Sequence, residues 1–569
     1  MAVSNYIIPG VYIEENDAFA RSVPQVSTAV PAFLGYTAKN GGQVKRISSI
    51  LEFREFFGLA QAVTVTGNLS ISNSGGNLTV EPGYSSALPS YVLEHLLEIY
   101  FANGGGPCWV ISVNPSKAAS AFPSSPSKDD YLAGLKVLET LDEPTLIVLT
   151  DALKTLPLAD YWSLCTQGLA QCAAKGDRFL IMDVPYSPSS TFGDFKNSIE
   201  LSRTNLGTLN LSYGAAYYPY LEASLQPRVN LDSAKISGGD LTYREAVWAS
   251  SPTSPDKLIA AFSSFSGAAV PGLEFVLNGS QTAPIDIASD KAGNKLTISV
   301  KGDTAIGDIA SAFNNYGGDK MGLTLDLQGA SDSKLTLSAQ TPGFTFAFSP
   351  SSNLTNFKLT RPAIYKVILQ KITPATQVIP PAPAIAGVYC QVDRSKGVWN
   401  APANVSLGDI LRPSVLLSKN EQALLAEAGS SGKSINTILQ FEGKGTLVWG
   451  ARTLAANDLN WRYIQVRRLF IMAEESIQKA CQYAVFETND ATTWTKVKVM
   501  IDNFLYSLWS KGGLAGSKPE EAYRVTVGLG QSMTQQDILE GKLIVNVAMA
   551  PVRPAEFIIL RFEQMMQTT

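Results

Sequence analysis

Thr145-Leu-Ile-Val-Leu-Thr150 and Phe179-Leu-Ile-Met182 are two short apolar runs separated by a stretch, Ala159 to Lys175, whose apolar residues recur at helical spacing. Continuous apolar runs of this length suit strands buried on both faces, and the stretch between them is long enough for a crossover helix. Strand, helix, strand in this order predicts a parallel pair, because parallel strands need such a connection. Outward from this unit the alternation continues, with a strand at Cys108 to Val113, a helix at Asp130 to Leu141 and another helix beginning near Leu88. Residues 88–185 therefore read as an α/β layer with a largely parallel sheet. Cys165 and Cys172 lie on the face of the crossover helix that carries Trp162 and Leu169, which reads as core packing.

Either side of this layer the pattern changes. Ala62 to Pro82 alternates apolar and polar residues around Asn73-Ser-Gly-Gly76 and predicts an exposed hairpin excursion. From about 228 to 378 the chain is rich in Ser, Gly, Ala and Thr with short alternating runs such as Leu296-Thr-Ile-Ser-Val300. It reads as an inserted β-rich domain with one short helix at Thr304 to Asn314. The α/β pattern resumes after the prolines of Val378-Ile-Pro-Pro-Ala-Pro383, and from Gly445 the chain becomes α+β. There Tyr463, Val466, Phe470, Ala473, Ile477, Ala480 and Ala484 predict a long helix burying one face. A second helix is expected from Thr492 to Lys511, with Thr488-Asn489-Asp490 as its cap and Gly512-Gly513 as its stop. Strands are then expected at Tyr523 to Val527, Lys542 to Met549 and Glu556 to Phe562. The expected divisions are an arm at 1–20, an α/β domain at 21–227 with the excursion 62–82, the insert at 228–378, a return to α/β at 379–440, and a C-terminal domain at 441–569.

Composition narrows the function. The 569 residues are 45% hydrophobic and only 17% charged, so the chain folds, and length divided by about 150 gives three to four domains. A net charge of −4 argues against coating a polyanion, so no nucleic-acid partner is expected. A low charge fraction also fits a surface covered by other subunits. No apolar run is long enough to span a bilayer, and Met1 to Asn16 lacks a secretory signal, so cytoplasmic synthesis without membrane insertion is expected. Cys108, Cys165, Cys172, Cys390 and Cys481 are scattered and odd in number, as reduced thiols would be.

Catalytic parts are scarce. His95 is the single histidine, which excludes paired-histidine metal sites, and it falls off its helix's apolar stripe, as a surface or boundary residue would. Gly429-Ser-Ser-Gly-Lys-Ser434 has Glu427 where a phosphate loop needs glycine, and it comes after a helix, so it reads as a helix-to-strand loop. Gly104-Gly-Gly-Pro107 reads as a helix stop. Asp151 and Asp183 end the two founding strands. They would either accept backbone N–H groups at turns or hold Mg²⁺ for a hydrolase. No cofactor is expected.

The termini are strand-like but awkward within a private sheet. Tyr6-Ile7-Ile8-Pro9-Gly10-Val11-Tyr12-Ile13 has high β propensity, yet Pro9 lacks the N–H of a central ladder. Pro551 and Pro554 likewise interrupt the approach to Glu556-Phe557-Ile558-Ile559-Leu560-Arg561-Phe562. An apolar strand left in water is an aggregation hazard, so each needs a partner, either the chain's own sheet or that of a neighbouring copy.

Pro9-Gly-Val-Tyr-Ile-Glu-Glu15, Val26 to Gly35, Phe53-Arg-Glu-Phe-Phe-Gly58 and Tyr100 to Trp109 resemble, in order, the N-terminal half of contractile tail sheath proteins. Gly387 to Arg394, Gly397 to Asn404, Val448 to Leu454, Trp461 to Arg468 and Ala550-Pro-Val-Arg-Pro-Ala-Glu-Phe557 resemble the C-terminal half. The likeness covers nearly the whole chain except 62–82 and 228–378. It implies a non-enzymatic, helically polymerising subunit of a sleeve around an inner tube, assembled in the bacterial cytoplasm as part of a phage tail or tail-like particle. The implied partners are further copies of the chain, the inner tube protein, baseplate and terminal cap proteins, and sheath paralogues. By position, Tyr6 to Ile13 and Glu556 to Phe562 would be arms joining a sheet whose receiving strand carries Leu543, Val545, Val547 and Met549. Lys496, Lys498 and Lys511 would face the tube, the alternative being a solvated helix face. Since one chain carries both halves, the likeness points away from the type VI branch, where two proteins share the sleeve. The other functions left open are the Asp151–Asp183 hydrolase and an adhesin or shell protein built on the β insert.

Overall fold

The computed structural model describes residues 22–556 and 559, apart from 75–76, 82–83, 88–89, 115–121, 124, 186–191, 231–234, 240–241, 250–254, 265–268, 278–284, 336–342, 346–348, 351–357, 359–361, 374–375 and 428–431. Internal contacts divide the described chain into two units. One takes the residues up to Leu59, Leu96–Glu222 and those from Val378 on, and the other takes Ala60–His95 and Ala223–Gln377.

In the first unit, nine strands among the described residues form one sheet. Their order is Val44–Ile47, Cys108–Ser112, Pro31–Gly35, Leu146–Leu149, Phe179–Asp183, Gly214–Tyr218, Ile435–Phe441, Gly445–Val448 and Val405–Ser406. The six strands from Cys108–Ser112 to Ile435–Phe441 pair in parallel, and the flanking pairs are antiparallel. The founding strands are buried along their whole length, as helices on both faces require. The crossover helix Leu158–Lys175 stops at Gly176, whose left-handed φ of 70° carries no Cβ penalty. Helix Lys128–Leu138 starts on Ser127, whose Oγ accepts the Asp129 N–H. At its other end the buried Arg178 donates to the Leu138 and Leu141 carbonyls at 2.9 and 3.0 Å, satisfying acceptors the helix cannot pair itself.

The C-terminal part of this unit is two helices and a ribbon. Helix Ile464–Cys481 is not buried on a single face as its spacing predicts. Gln465, Arg467 and Arg468 are buried beside Ile464, Val466 and Leu469, while Phe470 and Ile477 are only half-buried. Its first turns are enclosed on every side because charged side chains there find partners. Helix Ala491–Ser510 follows the expected outline, capped by Asp490 and stopped at Gly512 with φ 81°. It buries Val497, Ile501, Phe504, Leu505 and Leu508, with Met500 in the stripe and Trp494 at its margin.

In the second unit, Thr64–Ser74 pairs antiparallel with Asn77–Glu81, the pairing expected of the excursion, and parallel with Lys235–Gly239. Two further four-stranded sheets and helix Ile306–Asn315 enclose a core that includes Leu258, Phe275, Ile298, Ile309, Phe313 and Leu325. The helix Pro362–Ile372 carries no signal used above and buries Ile364, Ile368 and Ile372. His95 departs from the surface position expected of it. It is 4% exposed, because Tyr91, Val92, Leu93, Glu94, Leu96 and Leu97 are all buried around it and the helix has no solvent side there.

Candidate interaction site at the C-terminal ribbon

Tyr523–Val527 and Val545–Met549 form a two-stranded antiparallel ribbon with Tyr523 opposite Met549, Val525 opposite Val547 and Val527 opposite Val545. The alternation explains its placement. Val525, Val545, Val547 and Met549 join the core formed by helices Ile464–Cys481 and Ala491–Ser510, whereas Arg524, Asn546 and Ala548 are exposed. Among the described residues no third strand pairs with either edge. Two strands alone are marginal, and their outward N–H and C=O groups are a template for another strand. The receiving strand is shorter than the sequence predicts. It begins at Val545, and Leu543 lies before it in the approach from the turn at Glu540 and Gly541.

Of the proposed arms, Tyr6, Ile7, Ile8, Pro9, Gly10, Val11, Tyr12 and Ile13 lie outside the described residues, as do Phe557, Ile558, Leu560 and Phe562. Glu556 is not in a strand. Its carboxylate takes two hydrogen bonds from Arg452, Nε at 2.9 Å and Nη2 at 2.6 Å, and a third from the Tyr463 hydroxyl at 3.3 Å. The chain leaving the ribbon is thus pinned to its own body before the last apolar run begins. Ile559 is also outside any strand and is 78% exposed. The N-terminal entry is pinned too. Val23 packs in the helical core, the Val26 N–H donates to Ser476 Oγ at 3.1 Å, and Arg468 donates to the Thr28 carbonyl at 2.8 Å.

Lys496 and Lys498 are exposed near the start of helix Ala491–Ser510. Lys511 closes the other end, roughly 20 Å away at 1.5 Å per residue, so the three lysines do not form one patch. Lys511 instead lines an open cleft with Lys396 and Arg553.

Sequence reasoning missed Arg468. It is buried, forms a two-pronged pair with Asp393 at 2.9 and 2.6 Å, and lies 4.6 Å from the Tyr389 ring centre. The Tyr389 hydroxyl meets that of Tyr217 at 2.9 Å. Two adjacent arginines, Arg467 and Arg468, inside an apolar helical repeat were the available signal.

The hydrolase reading finds its carboxylates engaged in structure. Asp151 accepts the Tyr36 N–H at 3.2 Å, and Asp183 accepts the Ala382 N–H at 2.7 Å. Asp183 therefore caps helix Ala382–Lys396, far along the chain, and Asp151 makes no side-chain cap to the helix just after it. Burial pushes the Asp183 carboxyl up to about 7, so it is a poor anion for a cation site at neutral pH. Lys433, the would-be phosphate-loop lysine, is buried and donates to the Arg203 carbonyl, while Arg203 donates to the Leu424, Leu425 and Glu427 carbonyls at the end of helix Lys419–Ala426. Residues 428–431 of that loop lie outside the described residues.

Residues 456–565 match the model of the phage tail sheath C-terminal domain, the segment that contains both helices and the ribbon. Among solved structures, the chain is similar to the contracted-state sheath complex of the PVC extracellular contractile injection system, at 26% identity and a TM-score of 0.55 over 98% of this chain and 97% of that one. The C-terminal segment is thus similar to a phage tail sheath domain, and the chain as a whole to solved contractile sheaths. The chain is also similar to the contracted helical sheath of the anti-feeding prophage, at 27% identity and a TM-score of 0.52 over 98% of this chain and 99% of that one. The tail sheath protein of Vibrio phage KVP40 is 26% identical over 202 residues, 35% of this chain and 28% of the phage protein. That of Enterobacteria phage T4 is 27% identical over 225 residues, 38% and 32%. The matches thus span less than a third of either phage protein's length.

Proposed function

We propose that the chain is the structural, non-enzymatic subunit of a contractile sheath. It polymerises helically around an inner tube and contracts from a metastable extended state to drive that tube through a target envelope. The observation that carries this reading is the ribbon with no third strand on either edge among the described residues, in a chain that has apolar strand-like segments at both termini. In this reading Tyr6–Ile13 and the run after Glu556 are lent to neighbouring copies and complete the ribbon by main-chain bonds, with the alternating side chains setting register. Such a contact does not close on itself, so copies propagate as an open helix. The strand linkage holds while the bodies rotate into a packing with more buried surface, and Pro9, Gly10, Pro551 and Pro554 act as hinges.

The arm after Glu556 begins from a fixed point, the Arg452 pair, which lets a pull on the arm reach the body of the molecule. Lys496 and Lys498 on the exposed face of helix Ala491–Ser510 are the tube-facing cations in this reading, suited to weak, releasable contacts. Residues 228–378 are proposed as an outer, inserted domain. Baseplate and cap proteins terminate the polymer, and the particle is assembled in the bacterial cytoplasm.

Negative-stain microscopy of the purified chain tests the reading, with long hollow tubes expected. Deleting residues 1–15 should abolish the tubes and leave a folded monomer by circular dichroism. An unfolded product would assign the segment to the chain's own core, and tubes that persist would remove the strand-lending mechanism. The Asp151→Asn/Asp183→Asn chain should still form tubes.

A further inference from the structure

Beside the ribbon lies an open cleft of about 640 Å³ whose lining includes Lys396, Trp399, Gln465, Lys511 and Arg553, with no carboxylate among the described lining residues. Lys396, Lys511 and Arg553 are exposed and take part in no ion pair among the described residues. Gln465, which also lines it, is 1% exposed and its Oε1 has no hydrogen-bond partner among the described residues. The cleft presents three cations that have no carboxylate partner among the described residues. A peptide strand with several acidic side chains supplies the matching carboxylates on one chain.

We infer that this cleft seats the acidic stretch Glu14-Glu15-Asn16-Asp17 of a second copy of the chain. The inference rests on the reading that the N-terminal arm is lent to a neighbour, and it adds a specific receptor for the residues just beyond the arm. Three acids in four residues match three cations, and they come directly after Ile13. The receiving strand ends at Met549 and runs through Ala550 and Pro551 into Val552 and Arg553 at the cleft. Those four steps of extended chain span about 13 Å. An arm laid along the ribbon with Ile13 toward Met549 carries Glu14 to Asp17 over the same distance and delivers them to the cations. The ribbon then supplies non-specific main-chain affinity, and the cleft supplies direction and register.

A charge-swap mixture tests this. One chain carries K396E/K511E/R553E and the other carries E14K/E15K/D17K, and sedimentable polymer is measured for each alone and for an equimolar mixture without inner tube. Each alone should lose roughly tenfold or more of its polymer, since like charges are brought together. The mixture should recover it, because each tail then meets a complementary cleft on the other chain. Unimpaired assembly of the cleft variant overturns the inference, and so does a mixture that stays unassembled while both variants melt like the parent chain. A chain lacking residues 1–13 separates the two readings. If it assembles, the lent arm itself is wrong. If it does not assemble while the cleft variant does, only the cleft assignment fails.

Discussion

Asp183 combines the last position of a buried strand with the N-terminus of helix Ala382–Lys396, where its Oδ1 receives the Ala382 N–H. It is 2% exposed, and desolvation raises its carboxyl to about 7 from 3.8, the Ala382 hydrogen bond pulling the other way. Below 3.8 the acid is neutral folded and unfolded. Between 3.8 and about 7 only the unfolded chain ionises, so this residue's contribution to stability falls as pH rises and is lost above about 7. At about 1.4 kcal/mol per pKa unit the loss is on the order of 4 kcal/mol. Asp183→Asn keeps an acceptor for Ala382 and cannot ionise. Chemical denaturation should therefore find the variant equal to the parent near pH 4 and more stable at pH 8, by up to that amount. A parent more stable than the variant at pH 8 would mean that the carboxylate is used as an anion.

At the scale of elements, helix Ala491–Ser510 carries both the proposed tube-facing lysines and the support for the ribbon. Asp490 Oδ1 accepts the Thr493 N–H at 2.9 Å, and that bond holds its carboxyl below the usual range. Next to it, Asn489 receives the Trp494 indole N–H at 2.7 Å and donates to the Lys542 carbonyl at 2.9 Å, so the start of the helix fixes the approach to the receiving strand. Asp490→Ala should cost about 1 kcal/mol in equilibrium unfolding, and Asp490→Asn only a fraction of that. Because the cap lies beside the ribbon's entry, backbone amides from 543 to 549 should exchange faster in the alanine variant. Unchanged exchange there would show that the ribbon does not depend on the helix start.

At the scale of the whole molecule, the core around Phe275 and Ile309 shares no residue with the core around Met472, Ile501 and Leu505. Separate cores unfold separately unless strongly coupled. Calorimetry of the unassembled chain should resolve two transitions, and Phe275→Ala, a cost of about 3–5 kcal/mol, should lower one of them and leave the other in place. A single transition that moves as a whole would mean that the two units fold as one.

The fold class was legible in the sequence because periodicity reports burial. Leu146–Leu149 and Phe179–Met182 are apolar throughout and became central parallel strands, and the stripe from Val497 to Leu508 became a helix with its cap and stop where Asp490 and Gly512 stand. The likeness to contractile sheath proteins was legible in the ordered motifs, and the want of paired histidines and of a true phosphate loop narrowed the chemistry. What needed three dimensions were the long-range polar partners. Asp183 reads locally as a cap for its own turn, yet it serves helix Ala382–Lys396. Arg468 reads as a charge in the wrong place until Asp393 and Tyr389 enclose it, and His95 reads as exposed until the whole run from Tyr91 to Leu97 is buried. The cleft of Lys396, Gln465, Lys511 and Arg553 is assembled from four distant segments. Apolar patterning is a local property of the chain, whereas a buried charge is tolerated only where folding brings it a partner, and no local pattern records that meeting.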